Sequence, residues 1–289
     1  MTHTRTQLAQ LLKRHGLSAS RALGQNFVVD PNTVRRIARM SGVGPGDHVV
    51  EIGAGLGSLT LALAETGASV TAVEIDRHLR PILEEVVEGQ NVEIIAGDAM
   101  ELDWEQVLAS SPKWVLVANL PYNVATPLVL DILRNVPAVE RMLIMVQLEA
   151  GERLVASPGS SAYGIPSVKV ALRATGRIAA KIGPDVFLPR PRVDSALVEI
   201  VRRPDLAVDA DPQLLEALVE KAFNQRRKML RRSLASVADE ATFEAADISP
   251  TERPEKLGIE AWGRLCNAIE AQGNTALEAL ATPRHQGQP

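Results

Sequence analysis

Along residues 30 to 147 the apolar side chains follow two spacings: short unbroken runs, and positions three and four apart. The first marks strands buried on both faces and the second marks amphipathic helices. Asp30-Pro31 reads as an N-cap followed by a proline in the first helical turn, with Val34, Ile37 and Ala38 on one face. His48–Ile52 is a predicted strand that breaks into Gly53-Ala-Gly-Leu-Gly57, and a helix is predicted over Ser58–Glu65. A strand at Ser69–Val73 ends on Glu74; a helix at Arg77–Val87 and a strand at Val92–Ala96 follow, with Asp98 just beyond. Trp114–Ala118 is the next strand, opening into Asn119-Leu-Pro-Tyr122, before a helix at Thr126–Leu133 and a strand at Met142–Val146. Strands alternating with helices pair in parallel through right-handed crossovers, so the expected fold class is α/β with a doubly wound sheet.

After Gly159-Ser-Ser-Ala-Tyr163 the pattern changes. Val168–Leu172 and Ala196–Val201 are expected as strands, joined through Phe187-Leu-Pro-Arg-Pro-Arg192, and Asp205 to about Gln272 is expected to be helical. The chain has 289 residues, which at roughly 150 per domain suggests about two domains. The expected limits are a first domain over residues 1–203, a small helical domain over 204–281, and a disordered polar tail at 282–289.

Composition narrows the class. With 46% hydrophobic and 23% charged residues the chain can bury a core without metal or disulfide staples. Cys266, the single cysteine, excludes an internal disulfide and a cysteine-based zinc cage, and reads as a small core residue. The first residues, Met1-Thr-His-Thr-Arg-Thr-Gln, form no apolar h-region, so no secretory signal is expected. The longest stretch free of charge, Trp114 to Leu130, is interrupted by Asn119, Pro121, Asn123, Thr126 and Pro127, so it is no membrane span. The chain reads as a soluble, cytoplasmic protein. Its net charge is −4, yet residues 221–232 carry Lys221, Arg226, Arg227, Lys228, Arg231 and Arg232 and no acid. The local field over a contact surface governs polyanion binding, so this stretch is a candidate nucleic-acid contact despite the mean. On a continuous helix Arg227 and Arg231 would share a face, as would Lys228 and Arg232.

In an open parallel sheet ligands sit outside the carboxyl ends of the strands. Gly53-x-Gly55-x-Gly57, Glu74, Asp98 and Asn119 all fall there. Glycines admit a ligand close to the backbone, and the helix that follows offers free N–H groups. Glu74 lies 74 − 53 = 21 residues past the first glycine, placed for ribose hydroxyls, which suits NAD or S-adenosyl-L-methionine. A third glycine at 57, with Ser58 where a dinucleotide site wants a small third residue, and the second acid Asp98 favour the single-nucleoside ligand. Asn119-Leu-Pro-Tyr122 suits methylation of an adenine amine, whose lone pair is delocalised into the ring. An Asn119 side-chain oxygen and the Leu120 carbonyl, turned by Pro121, would accept the two amine hydrogens and aim the lone pair at a methyl donor. Tyr122 would stack on the extruded base. Phe187 is a second aromatic candidate for the same pocket, with a core position as its other reading.

These motifs together resemble the ribosomal RNA adenine dimethyltransferases, in particular the bacterial 16S rRNA dimethyladenosine transferases of the kasugamycin-resistance type. The resemblance runs from about Arg21 to Arg232. It comprises Leu-Gly-Gln-Asn-Phe27, Glu-Ile-Gly-Ala-Gly-Leu-Gly57, Val-Glu-Ile-Asp76, Gly-Asp-Ala99, Asn-Leu-Pro-Tyr-Asn123, Phe-Leu-Pro-Arg-Pro-Arg-Val-Asp-Ser195 and Ala-Phe-Asn-Gln-Arg-Arg-Lys-Met-Leu-Arg-Arg-Ser-Leu234. It implies a Rossmann-like class I methyltransferase domain followed by a small helical domain. The implied reaction is dimethylation of two adjacent adenosines near the 3′ end of 16S rRNA in the small ribosomal subunit, by a monomeric protein with a role in subunit biogenesis. Carried over, the resemblance assigns Asn26, the Val28 backbone, Gly53, Glu74, Asp98 and Asn119 to the cofactor. It assigns Asn119, Leu120 and Tyr122 to the adenine, with Phe187 on its other face. Val28 and Arg192 stand where the family often has leucine and lysine. A large-subunit rRNA adenine methyltransferase, a non-catalytic assembly factor and an NAD-dependent oxidoreductase remain as alternatives.

Overall fold

The computed structural model describes residues 3–17 and 25–273. The tail 282–289, Arg21, and Leu23 and Gly24 of the Leu-Gly-Gln-Asn-Phe27 motif lie outside the described residues. In chain order the elements are α1 (Arg5–Arg14), β1 (Phe27–Val28), α2 (Pro31–Ser41), β2 (His48–Ile52), α3 (Ser58–Ala64), β3 (Ser69–Glu74), α4 (Arg80–Val86) and β4 (Val92–Ala96). There follow α5 (Trp104–Val107), β5 (Trp114–Asn119), α6 (Ala125–Asn135), β6 (Val139–Gln147), α7 (Leu148–Leu154), α8 (Ile165–Arg173), β7 (Ala174–Ile182), β8 (Phe187–Leu188) and β9 (Ser195–Arg202). The last helices are α9 (Pro212–Phe223), α10 (Leu230–Ser233), α11 (Glu240–Ala245) and α12 (Ile259–Ala271).

The main sheet has the order β4-β3-β2-β5-β6-β9-β7. Strands β2 to β6 pair in parallel and β9 runs antiparallel to β6. The strand order reverses between β2 and β5, which places the crevice for a ligand at their carboxyl ends. Helix α2 begins as its sequence dictates: Asp30 caps it by accepting from the Thr33 amide at 2.9 Å, and Pro31 opens the first turn. Its face of Val34, Ile37 and Ala38 packs on Val117, Leu143 and Leu197 of the sheet.

Contacts divide the chain into two compact units, one of Met1–Glu152 with Gly176–Arg202 and one of Arg153–Thr175 with Arg203–Pro289. The second unit is therefore discontinuous in sequence, where a single cut near residue 203 was expected. The cause is a corrected element: Val168–Leu172 is not a strand but the centre of α8. Pro166 in its first turn and Ser167, whose hydroxyl accepts from the Gly164 amide, start the helix. Val168 and Leu172, four apart, are buried with Leu215, Leu218, Phe243 and Trp262 in this unit's core. Cys266 lies in the same core, where burial pushes its thiol up to about 12. Among the described residues no helix is long and apolar enough to cross a membrane.

Candidate functional site

The glycine loop after β2 sets the floor of the site. Gly55 has φ of +59°, and a Cβ there would lie 3.0 Å from the Phe27 ring, so only glycine lets β1 pack against the loop. The Gly55 amide donates to Glu74 Oε2 at 2.7 Å, and the Asp76 amide donates to Glu74 Oε1 at 2.8 Å. Each carboxylate oxygen keeps a second lone pair for an incoming hydroxyl. Burial pushes the Glu74 carboxyl above its ordinary value, opposed by these backbone donors. Gln25 donates to Asp76 Oδ2 at 2.9 Å, which ties the residues before β1 to the far side of the loop.

Asn119 ends β5, and its Nδ2 donates to the Asn26 carbonyl at 2.8 Å. A carbonyl can be faced only by the NH2 end of an amide, so this bond fixes which way the side chain is turned. The Asn119 oxygen is therefore the end that Asn26 leaves open. Next in the chain, the Leu120 amide donates to Met145 O of β6 at 3.0 Å, which seats Leu120, and Pro121 turns the chain into α6. Tyr122 is half-buried and its hydroxyl shares a hydrogen bond with Ser195 Oγ at 2.9 Å.

Two cavities meet at this edge. One is lined by Asn26, Gly53, Gly55, Glu74, Asn119, Leu120 and Tyr122 among others. The other, of about 230 Å³, is lined by Gly53, Ile75, Asp98, Met100, Pro121 and Asn123 among others. Ile75 and Met100 are 52% and 44% exposed, large apolar side chains open to solvent beside the carboxylate of Asp98. Val28 lies with Gly55 and Asn119 on a third, small cavity beneath the loop. Asn26, Val28, Gly53, Gly55, Glu74, Asp98, Asn119, Leu120 and Tyr122 are thus brought together at one edge of the sheet.

Phe187 is not. It is fully buried, opposite Val28 in the β1–β8 pair, and packs with Ile37, Ile182 and Leu197. Of the two readings of its position, the core is the one this structure shows: the two-residue strand turns that side chain inward. The basic stretch also differs from expectation. Helix α9 stops at Phe223, and the Gln225, Arg226 and Lys228 amides close tight turns before α10, so the helical pairing of Arg227 with Arg231 and of Lys228 with Arg232 does not exist. A continuous helix would stack like charges without an acid to offset them. Arg226 is engaged, its Nε donating to Glu255 at 3.0 Å and a terminal nitrogen to Ser161 O at 2.8 Å. Arg227, Lys228, Arg231 and Arg232 are exposed.

Sequence reasoning missed Glu51, a charge between Val50 and Ile52 in a strand buried on both faces. It is 2% exposed, and its Oε2 has no hydrogen-bond partner. Burial pushes its carboxyl up to about 8, and the Glu74 charge adds to this. Between the ordinary value of 4.5 and 8 the folded chain holds a proton that the unfolded chain releases, so stability falls as pH rises through that window. Glu51→Gln removes this dependence. Unfolding free energies at pH 5 and pH 8 should differ more for the wild type than for the variant, by a few kcal/mol, on the order expected for such a shift. Equal differences would show that Glu51 titrates normally.

A family model described as ribosomal RNA adenine dimethylase matches residues 16–271. The ribosomal RNA small subunit methyltransferase A of Kineococcus radiotolerans is 44% identical over 283 residues, covering 94% of this chain and 93% of that one. The protein of the same name from Streptomyces avermitilis is 45% identical over 270 residues, covering 89% and 90%. In structure, the 23S rRNA methyltransferase ErmE is similar with a TM-score of 0.65 and 25% identity, over 84% of this chain and 99% of that one. A dimethyladenosine transferase from Plasmodium falciparum shares the fold with a TM-score of 0.71 at 22% identity, over 85% and 98%.

Proposed function

The chain belongs to the ribosomal RNA adenine dimethylase family, and on that premise we propose that it dimethylates the exocyclic amines of two adjacent adenosines near the 3′ end of 16S rRNA in the small ribosomal subunit, using S-adenosyl-L-methionine. The observation that carries the reading is the Asn119 amide, locked by Asn26 with its oxygen left open beside the Leu120 peptide. The small-subunit relatives are 44% and 45% identical to this chain and the 23S enzyme ErmE 25%, which favours small-subunit over large-subunit RNA.

The residues present fit the cofactor. Glu74 offers buried carboxylate lone pairs for ribose hydroxyls, Gly53 and Gly55 leave the backbone bare, and Asp98 lies beside an open apolar surface of Ile75 and Met100 suited to an adenine ring. When bound, S-adenosyl-L-methionine supplies a methyl group on a positive sulfur, an electrophile that leaves a neutral thioether. The chain's own work is positioning. Asn119 and the Leu120 carbonyl accept the two hydrogens of the target amine, which favours a tetrahedral nitrogen with its lone pair free. Tyr122 takes the extruded base on its ring, for about 1–3 kcal/mol, which offsets part of the few kcal/mol spent on unstacking. The exposed cations Arg227, Lys228, Arg231 and Arg232 hold rRNA phosphates; Arg226 supports them by pinning the turn to Glu255 and Ser161.

Charge reversal at Arg227 and Arg231 together is expected to weaken RNA binding and flatten its dependence on salt by about one unit of slope per lost phosphate contact. An unchanged slope would remove these residues from the interface. The function itself is tested by transfer of tritiated methyl groups to unmethylated small and large subunits, followed by nucleoside mass analysis. Dimethyladenosine in the small-subunit RNA is expected. Label in large-subunit RNA, or on another base, would overturn the reading.

A further inference from the structure

We propose that Ser195 is a positioning residue for methyl transfer, its buried hydroxyl holding the Tyr122 side chain in the position where its ring receives the target base. The inference rests on Tyr122 as the stacking surface in the function proposed above. Ser195 is fully buried at the start of β9, and its Oγ lies 2.9 Å from the Tyr122 hydroxyl. Either hydroxyl can donate. A tyrosine held only through its Cα can swing its ring out of the pocket about χ1; held also at its hydroxyl, which lies on the ring's long axis, it keeps that axis in one direction and only turning about it remains.

The sheet makes this second anchor rigid. Asn119 of β5 lies opposite Met145 of β6, and Ser195 of β9 lies opposite Gln147 of the same strand. Cross-strand partners project to one face, and residues two apart on a strand do too. Strand β6 therefore brings Asn119 and Ser195 to the same face of the sheet, two residues apart. Two further bonds fix the ends: the Leu120 amide to Met145 O, and the Leu148 amide to Asp194 O, each at 3.0 Å. Asn119-Leu-Pro-Tyr122 is thus clamped at its first residue through Asn26 and at its last through Ser195. The two acceptors for the amine, on Asn119 and Leu120, belong to this clamped segment. Burial holds the Tyr122 phenol above its ordinary range, so it stays protonated and the bond persists at working pH.

The test is a double-mutant cycle on the full-length protein, read as single-turnover methyl transfer to unmethylated small subunits. Ser195→Ala should slow transfer about five- to tenfold, the size of one neutral hydrogen bond. Affinities for S-adenosyl-L-methionine and for the subunit should stay within about twofold, since neither touches this hydroxyl. Tyr122→Phe removes the same bond from the half-buried side and should slow transfer equally. In the Tyr122→Phe background Ser195→Ala should then cost nothing more. The same loss in both backgrounds, or none in the wild type, overturns the proposal. An RNA carrying 2-aminopurine at the target position reports stacking without any methyl transfer. Its quenching on binding should weaken equally in both single variants, and unchanged quenching in Ser195→Ala refutes the proposal even if the reaction assigned above is wrong.

Discussion

Asn119→Ala is expected to slow methyl transfer at saturating cofactor and RNA by about 10²–10³-fold, the loss seen when one preorganised hydrogen-bonding group is removed from a reacting centre. Two effects combine. The amine loses an acceptor for one of its hydrogens, so its nitrogen relaxes toward the planar geometry in which the lone pair belongs to the ring. The Asn26 carbonyl also loses its donor at 2.8 Å, which loosens the residues that line the cavity on the other side. Asn119→Asp separates the two. It keeps an oxygen for the amine but sets a second oxygen against the Asn26 carbonyl, where only a donor fits. A comparable loss is expected from it, with a rate that recovers in part at low pH as the carboxyl takes up a proton and can donate. Rapid-quench single-turnover rates across pH check both variants. A rate for Asn119→Ala within a few-fold of wild type would remove the side chain from the reacting centre.

Glu74→Gln carries the second large effect, on cofactor affinity. Both carboxylate oxygens accept backbone N–H groups, from Gly55 and from Asp76. An amide of the same shape has one acceptor and one donor end, so whichever way it turns, its NH2 faces a backbone N–H. That clash is present with and without cofactor and lowers stability; affinity falls because the neutral amide replaces charged acceptors for the ribose hydroxyls, a loss of about 1.5–3 kcal/mol, or about ten- to hundredfold in Kd. The glycine loop should also loosen at Gly55, whose amide bond to Glu74 stands beside those of the Gly53 and Ala54 amides to Val73 O of β3. The acid form of Glu74 has the same defect. Because burial raises its pKa, wild-type affinity should begin to fall with decreasing pH earlier than for an exposed carboxylate, and the variant should show no such fall. Calorimetric titration of S-adenosyl-L-methionine over a range of pH measures both. Equal affinity for wild type and Glu74→Gln would mean that the cofactor lies elsewhere.

The parallel sheet was legible because β2 to β5 are short apolar runs closed by glycine, an acid or asparagine, and those closing residues mark the carboxyl edge. Helix α8 was not, because Val168, Val170 and Leu172 alternate with Lys169 and Ala171 and satisfy a two-residue period as well as a helical one. Pro166 and Ser167 were the signals that favoured a helix there. Strand β7 escaped for a related reason: Thr175, Gly176 and Arg177 are exposed, and only its ends are fully buried. At the site, the residues brought together are those whose role follows from standing at a strand end. Phe187 fails that rule, since its side-chain direction is set by a pairing with Val28, distant in sequence. Arg226 fails it too, because Glu255, its ion-pair partner, lies 29 residues on. The lone charge of Glu51 inside an apolar strand was the anomaly that local pattern could have exposed. The Ser195–Tyr122 bond joins two motifs that the sequence shows separately and only the sheet register unites.

The central claim is geometric, and a structure of the protein bound to an RNA fragment containing the target adenosine, with the demethylated cofactor product S-adenosylhomocysteine, tests it most directly. The adenine N6 should lie within hydrogen-bond distance, about 2.7–3.2 Å, of both the Asn119 side-chain oxygen and the Leu120 carbonyl, with the base stacked on Tyr122. An adenine bound with its N6 directed away from those two oxygens would contradict it.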